Sequence, residues 1–139
     1  GIAPGEADVW ATLRSVSDDL QLRLMQAARD VAEGAAKSHG LALDLGTEDR
    51  FAACHNDPEA TACVERAFEA EGVPVVAIDQ PFRWSEDFGL FGSVSKSALF
   101  VLGAGVDTPR LHNPDYDFPD ALIPLGARLC ERIARHLCD

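Results

Sequence analysis

Two hydrophobic periodicities alternate along the first part of this chain of 139 residues. Residues 7–14 alternate between apolar and polar side chains, and a period of two predicts a half-buried strand. From Leu20 to Ala35, apolar residues recur every three or four positions, which predicts a helix. Alternation resumes over residues 41–45. The first part of the chain is therefore predicted to fold as strand, helix, strand.

Local signals mark the ends of the helices. Ser17 is a suitable N-cap for the first helix, and the two aspartates that follow it suit the positive end of the helix dipole. Gly40 is expected to end that helix. A second helix is predicted to begin at Asp57-Pro58-Glu59, which supplies a cap, a proline at the first position and an early acid. It should end at about Glu71, before Gly72.

The second part of the chain is predicted to continue with strand, loop, strand and helix. Residues 73–78 are a β-rich apolar run, and residues 98–102 are apolar on both faces, as in a strand buried inside a parallel or mixed sheet. A short helix is expected near residues 87–92, a long loop over 103–119 and a final helix over about 120–138. This order of elements predicts an α/β (α+β) fold.

Charge and cysteine content restrict the class of protein. The net charge of -11 argues against nucleic acid and against anionic membranes as partners, because both attract basic surfaces. No segment is long and apolar enough to predict a membrane span. Four cysteines without a Cys-x-x-Cys pair indicate reduced thiols and a cytoplasmic location. Because the chain begins with Gly1 rather than Met, we expect its start to be a cut or an engineered boundary.

His112 has the strongest case for chemistry among the four histidines. It lies in the long loop after the most apolar predicted strand, beside several carboxylates. Ligands of α/β sheets gather beyond the carboxyl ends of strands, where an imidazole can bind a metal or move a proton. The alternative is an exposed surface histidine, which is also our interpretation of His39, His55 and His136.

Two further segments are candidates for ligand binding. Ser85-Glu86-Asp87-Phe88 precedes the predicted short helix, where Ser85 can act as a cap and free backbone N–H groups can bind an anion. These two interpretations are compatible. Arg14, on the polar face of the first predicted strand, can hold a carboxylate with two hydrogen bonds. From its position alone, an exposed salt bridge is the simpler interpretation.

Several segments, in this order, resemble motifs of one enzyme family. They are Ile2–Ala7 with Ala11–Ser15, Asn56–Glu59, Trp84–Phe88, and Leu111–Pro114 with Asp117-Phe118. The family is the metal-dependent amidohydrolases of the aminoacylase/carboxypeptidase superfamily, in particular the hippurate hydrolase and indole-acetyl-amino-acid hydrolase group. The resemblance covers nearly the whole chain. Its most specific parts are the Ser-Glu-Asp-Phe and Leu-His-Asn-Pro motifs taken together.

The resemblance implies a domain organisation and a chemistry. Residues 1–50 would be the second half of a lid, or dimerisation, domain, and residues 51–139 the C-terminal α/β part of a catalytic domain. Such enzymes hold two divalent metals, which activate a water that cleaves the amide of an N-acyl amino acid or small peptide. The lid domain implies a homo-oligomer.

The resemblance also implies roles for the candidate residues. His112 would ligate one metal, and Arg14 would bind the free carboxylate of the substrate. Ser85, Glu86, Asp87 and Phe88 would line the substrate pocket.

The chain lacks the counterparts of most of the family's metal ligands and of its general base. One histidine cannot hold two metals, so we expect the chain alone to be inactive and to bind no zinc, manganese or cobalt tightly. We also expect exposed apolar surface and strand edges, and hence self-association or the loss of an accompanying segment by proteolysis. Two alternatives stay open: a non-catalytic binding or oligomerisation module, and an unrelated α/β domain with chance motif matches.

Overall fold

The computed structural model describes residues 4–138, and their contacts divide the chain into two units. The first unit takes in the chain up to Ala53 together with Pro81–Asp87. The second takes in Cys54–Gln80 and the chain from Phe88 onwards. Gly1 and the Ile2-Ala3 part of the amino-terminal motif lie outside the described residues.

The predicted α/β fold is wrong, because the described part of the chain is helical and contains no strand. Between residues 4 and 138 the structure forms three α-helices and one 3₁₀-helix. They are α1 (Asp18–His39), α2 (Pro58–Ala70), the 3₁₀-helix Asp87–Ser93 and α3 (Leu122–Cys138). The four runs predicted as strands, residues 7–14, 41–45, 73–78 and 98–102, are without regular secondary structure.

The run around residue 99 shows why the strand predictions fail. An apolar or alternating pattern detects an extended backbone, but a strand also needs a neighbouring backbone with which to exchange hydrogen bonds. Here the amide side chain of Asn56 donates to the Leu99 carbonyl and accepts from the Leu99 N–H, each at 2.9 Å. The Asp57 N–H donates to the Ser97 carbonyl at 2.8 Å. A side chain and a helix cap thus take the positions of a paired strand.

The predicted ends of α1 are confirmed. The Ser17 hydroxyl accepts a hydrogen bond from the Leu20 N–H at 3.3 Å, as an N-cap does. Gly40 adopts the left-handed conformation with φ 64°, and its N–H bonds to the carbonyls of Ala36 and Lys37. That φ is accessible to glycine at little cost, which explains why the helix ends there.

The covered face of α1 is not the stripe that runs from Leu20 to Ala35 in the sequence pattern. The side chains that are buried or half-buried belong to a neighbouring stripe of mostly small residues: Gln21, Met25, Ala28, Ala32 and Ala36. The Gln21 amide donates to the Leu13 carbonyl at 3.0 Å, which ties this inner stripe to the preceding extended segment. By contrast, Val31 on the other stripe is 72% exposed.

The core of the second unit lies where α2 meets α3. Ala67 and Phe68 of α2 and Leu129 of α3 are buried, and Ala67 and Leu129 are fully so. Phe100 packs edge-on against Phe68, with ring centroids 5.1 Å apart. Partly buried hydrophobic side chains complete this core, namely Val64, Val73, Phe100, Leu102, Leu125 and Ile133.

One carboxylate joins the two helices of this core. Glu71, at the C-cap of α2, accepts hydrogen bonds from Arg132 and, at 2.8 Å, from the Nε of Arg128, both on α3. The Glu71 side chain is only 11% exposed, whereas both arginines are about half exposed. The hydrogen bond from Arg132, followed by that from Arg128, holds the pKa of Glu71 below its ordinary value of 4.5.

The other predicted helices are also confirmed to within a few residues. Asp57 caps α2 by accepting from the N–H groups of Glu59 and Ala60 at 2.9 and 3.0 Å. The 3₁₀-helix and α3 lie where the short and final helices are expected. Among residues 4–138, no helix combines the length and the apolar character that crossing a membrane requires.

Candidate substrate site

Arg14 and Ser85 are in contact within the first unit, although 71 positions separate them. The Nη1 of Arg14 donates a hydrogen bond to the Ser85 hydroxyl oxygen at 2.8 Å. The 3₁₀-helix begins at Asp87, two residues after Ser85. The Ser85 hydroxyl accepts a hydrogen bond from Arg14 and does not cap that helix. These are two of the residues to which the resemblance assigns substrate binding.

This contact leaves Arg14 able to bind an anion. A guanidinium has five N–H donors in a rigid plane, and the bond to Ser85 occupies one of them. Arg14 is exposed, so the other donors are open to solvent and can grip a carboxylate with two parallel hydrogen bonds. The bond to Ser85 also restricts the long side chain before a ligand arrives, which lowers the entropy lost on binding.

The remaining predicted pocket residues are divided between the two units. Glu86 and Asp87 follow Ser85 in the first unit and are exposed. None of the ion pairs within residues 4–138 involves either carboxylate. Phe88 belongs to the second unit, where its half-buried ring lies 5.4 Å from that of Phe91.

An aromatic pair beside Ser85 is absent from the sequence-based prediction. The rings of Phe82 and Trp84 stack with centroids 3.9 Å apart and an interplanar angle of 13°, and both are about half exposed. The backbone bends at residues 83–84, and the spacing of the two aromatic residues was the available signal. The stack gives the first unit a partly exposed apolar surface directly before Ser85 in the sequence.

His112 lies in a turn of the second unit with an unusual backbone. Its φ is 70°, in the left-handed region, and its side chain is exposed. Backbone hydrogen bonds of 3.0 Å, from Asn113 to Arg110 and from Tyr116 to Asn113, hold this turn. A residue with a Cβ is disfavoured there, although histidine is among the residues that adopt this conformation more often. The left-handed position is therefore an unusual feature of the very residue to which the resemblance assigns a metal.

The described residues do not build a complete metal site by themselves. Among residues 4–138, no three His, Cys, Asp or Glu side chains converge as they must to hold a metal ion. His112 can supply one ligand, and the other ligands of any metal would have to come from outside this set.

An open pocket of about 480 Å³ in the second unit contains none of the predicted substrate or metal residues. Its one lysine, Lys96, is engaged by Glu59, and this hydrogen bond raises the pKa of the Lys96 ammonium above its ordinary value. Lys96 is therefore already paired with a carboxylate. It is lined by His55, Asn56, Asp57, Gly92, Val94, Ser95, Lys96 and Ser97.

Comparison with known proteins decides the family. A sequence model described as peptidase family M20/M25/M40 matches residues 41–136, more than half of the chain. The chain belongs to this family. The predicted resemblance to metal-dependent amidohydrolases is therefore confirmed. The match to the M20/M25/M40 family includes Ser85–Phe88 and His112, whereas Arg14 lies before the matched residues.

Curated relatives of the chain are deacetylases of the same group. It is 33% identical over 134 residues to an N-acetyldiaminopimelate deacetylase of Streptococcus sanguinis and 31% identical over 134 residues to one of Streptococcus gordonii. Each match covers 94% of this chain but 34% of the relative. A third, from Streptococcus thermophilus, is 29% identical over 78% of the chain and 29% of the relative. The chain thus spans about a third of the length of these M20/M25/M40 relatives. No solved structure matches it at a significant level.

Proposed function

We propose that this chain forms the C-terminal part of a metal-dependent amidohydrolase that cleaves the amide of N-acyl amino acids or small peptides with metal-activated water. The observation that carries the proposal is the 2.8 Å hydrogen bond between Arg14 and Ser85. Membership of the M20/M25/M40 family supports amide hydrolysis. The relatives named N-acetyldiaminopimelate deacetylase support an N-acyl substrate.

The proposed roles in the chain concern binding and orientation. Arg14 holds the free carboxylate of the substrate through the N–H donors that Ser85 leaves open, while Ser85 fixes the plane of the guanidinium. Glu86, Asp87 and Phe88 line the pocket in which the rest of the substrate lies. The carboxylate anchor restricts how the amide is presented, which is the main contribution of a positioning group to an amide hydrolase.

The proposed role of His112 is that of a single metal ligand. Its exposed imidazole in a left-handed turn supports this role, because strained backbone tends to occur at functional sites. Zinc, manganese and cobalt all suit an imidazole accompanied by carboxylates. Since the described residues do not complete a site, the chain alone is expected to be inactive and to bind none of these metals tightly.

The substrate role is tested by a carboxylate-dependent binding assay. The chain is titrated with an N-acetyl amino acid and with its methyl ester, and binding is followed by backbone amide NMR shifts. We expect the free acid to bind and the ester to bind at least about tenfold more weakly, because the bidentate bond to a charged carboxylate is lost. Arg14→Gln should remove this preference, whereas Arg29→Gln, on an exposed arginine of α1, should keep it.

Two results would contradict the role of Arg14. One is equal binding of acid and ester to the unmodified chain. The other is a preference for the acid that survives Arg14→Gln. Shifts at Ser85 that accompany binding would locate the carboxylate at the Arg14–Ser85 contact.

The expectation that this chain does not complete a metal site is tested by calorimetry with zinc on the chain, on His112→Ala and on His55→Ala. We expect no tight stoichiometric binding in any of the three, because one imidazole supplies too few ligands. Tight binding that His112→Ala alone abolishes would contradict the proposal that this chain is an incomplete part of the enzyme. It would instead indicate a site built by the chain or between its copies.

Residues 1–50 and 51–139 are further proposed to be the second half of a lid domain and the C-terminal part of a catalytic domain, and the protein to be a cytoplasmic homo-oligomer. Exposed apolar side chains support association, since large apolar patches on a protein surface mark contacts with partners. Val9 is 91% exposed and Trp10 is 82% exposed. The oligomeric state can be measured independently of any activity.

A further inference from the structure

Two arginines of α3 share one carboxylate, which leaves a positive charge unbalanced. Arg128 and Arg132, the arginine pair, both bond to Glu71, whose side chain is only 11% exposed. The ion pairs within residues 4–138 bring no second carboxylate to either arginine. In a chain with 12 Lys and Arg against 23 Asp and Glu, a local excess of positive charge is unusual. The cluster is therefore more than a neutral bridge between two helices.

The terminal nitrogens of both guanidiniums are unused. In each arginine the Nε donates to Glu71, and in Arg128 this bond is 2.8 Å long. Within residues 4–138 the Nη1 and Nη2 atoms of the arginine pair make no hydrogen bond, and the two side chains are 54% and 46% exposed. These two atoms form the end edge of a guanidinium, which can bind two oxygens of an anion at once. Each arginine thus retains a free binding edge at a half-exposed position.

Glu71 prepares the arginine pair for a ligand. An arginine side chain loses rotamer freedom when it binds, and this loss weakens most exposed contacts. Here Glu71 already restricts both side chains, because each of its carboxylate oxygens accepts from one Nε. The two arginines are four positions apart on α3, so their Cβ atoms lie about 5–6 Å apart on one face of the helix. Two guanidiniums bound to one carboxylate lie side by side, where both can reach the same small anion.

The number of free edges identifies the ligand. A carboxylate has two oxygens in one plane, and a single guanidinium edge satisfies them. A phosphate group has at least three terminal oxygens and close to two negative charges, so it can bond to two edges at once. The net charge of -11 on the whole chain does not prevent this binding. At physiological ionic strength the Debye length is about 8 Å, so the more distant exposed carboxylates are screened.

We propose that Arg128 and Arg132 form a binding site for a phosphate group, with Glu71 as the residue that positions both guanidiniums. Glu131, beside Arg132 in the sequence, does not take up either free edge, because it is paired with Arg135. The site lies entirely in the second unit and includes none of the residues proposed to bind substrate or metal. It therefore does not depend on hydrolytic activity.

The experiment is a titration of the chain with inorganic phosphate at constant ionic strength, followed by the NMR signals of the arginine Nε–Hε groups and of backbone amides 128–132. We expect saturable shifts with a dissociation constant on the order of 1 mM, because contacts between half-exposed charges are weak. Arg128→Gln and Arg132→Gln should each weaken binding about tenfold or more, since each removes one of the two edges. Each variant leaves Glu71 one arginine, so its helical circular dichroism should persist.

Arg135→Gln is the matched control. It removes the same charge from the same helix, but the Nε and Nη2 of Arg135 both bond to Glu131, at 3.0 and 2.7 Å. Its affinity for phosphate should stay within about twofold of that of the unmodified chain. Acetate should bind about tenfold more weakly than phosphate, because one carboxylate engages one edge.

Methyl phosphate identifies the source of the ligand. An affinity close to that of inorganic phosphate would support the site and assign it to the phosphate group of a larger molecule. Binding of inorganic phosphate alone would support the site and assign it to the free ion.

Three results would overturn the proposal. The first is the absence of saturable shifts when phosphate is added to the unmodified chain. The second is an equal loss of affinity in Arg128→Gln, Arg132→Gln and Arg135→Gln, which would show that phosphate responds only to the total charge. The third is acetate that binds as tightly as phosphate, which would show that the two edges do not act on one anion.

Discussion

The side chain of Asn56 pairs with the backbone of Leu99 as a neighbouring strand would, donating to its carbonyl and accepting from its N–H at 2.9 Å each. Asn56→Asp would keep the acceptor but replace the donor by an oxygen that faces the Leu99 carbonyl. We expect a loss of about 1 kcal/mol in the free energy of unfolding, because one hydrogen bond becomes a repulsion. Urea unfolding measures it. Asn113→Asp, in an exposed turn, is the control, and equal losses in both variants would show that the pairing with Leu99 is not stabilising.

The two glycines of the α1 region should respond to the same substitution with opposite sign. Gly40→Ala places a Cβ at φ 64° and should destabilise the chain by about 1 kcal/mol. Gly34→Ala, inside α1 with open space around the added methyl, should stabilise it by about 0.5–1 kcal/mol. Thermal unfolding followed by circular dichroism compares the two variants. A shift of the same sign in both would contradict the observed helix end at Gly40.

Leu129 is the fully buried large side chain at the contact of α2 and α3. Leu129→Ala should lower the free energy of unfolding by about 2–5 kcal/mol, because it removes buried methyl groups and leaves a cavity. Leu137→Ala on the same helix, at a side chain that is 73% exposed, should change it by less than about 0.5 kcal/mol. Denaturant unfolding of both variants provides the measurement. Similar small effects would indicate that α2 and α3 do not form a packed core.

Glu71 should make the stability of the α2–α3 pair depend on pH. Its folded-state pKa lies below the ordinary 4.5, because Arg132 and Arg128 bond to the ionised form. The carboxylate therefore stabilises the fold at pH values above 4.5, and this contribution is lost as the pH falls through the lowered folded-state pKa. Glu71→Gln should lower the midpoint of urea unfolding at neutral pH. In acid, the midpoint of this variant should approach that of the unmodified chain.

The control for Glu71 is Glu131→Gln. Glu131 also bonds to an arginine, Arg135, but both side chains of that pair are at least 60% exposed, so its removal should have little effect at any pH. If the difference in urea midpoint between the unmodified chain and Glu71→Gln stays constant as the pH falls, the Glu71 contact does not stabilise the fold as an ion pair.

The helix ends were predictable because their signals are local. Ser17, Gly40 and Asp57 act on backbone groups within four residues of themselves, so the sequence around them contains the whole interaction. The strands were not predictable on that basis. An extended run becomes a strand only when another backbone pairs with it, and at Leu99 a side chain takes that place.

The candidate site was predictable only in part. Position alone favoured a surface salt bridge for Arg14, and only the resemblance placed Arg14 and Ser85 in one site. Hydrogen bonds between distant residues leave no periodic trace in a sequence. The arginine pair on α3 is visible in the sequence, because Arg128 and Arg132 are four positions apart and share a helix face. Nothing local indicated that Glu71 is their partner.

The first unit is discontinuous in the sequence, since Pro81–Asp87 belongs to it although Cys54–Gln80 does not. A gene truncated after Ala53 would retain Arg14 but delete the Ser85 hydroxyl to which it bonds. The guanidinium of such a truncated protein would lose its anchor before any ligand was added. A chimaera of two relatives joined at that boundary would likewise combine the arginine of one parent with the serine of the other. Chimaeras that keep the contact should therefore exchange residues 81–87 together with the amino-terminal region.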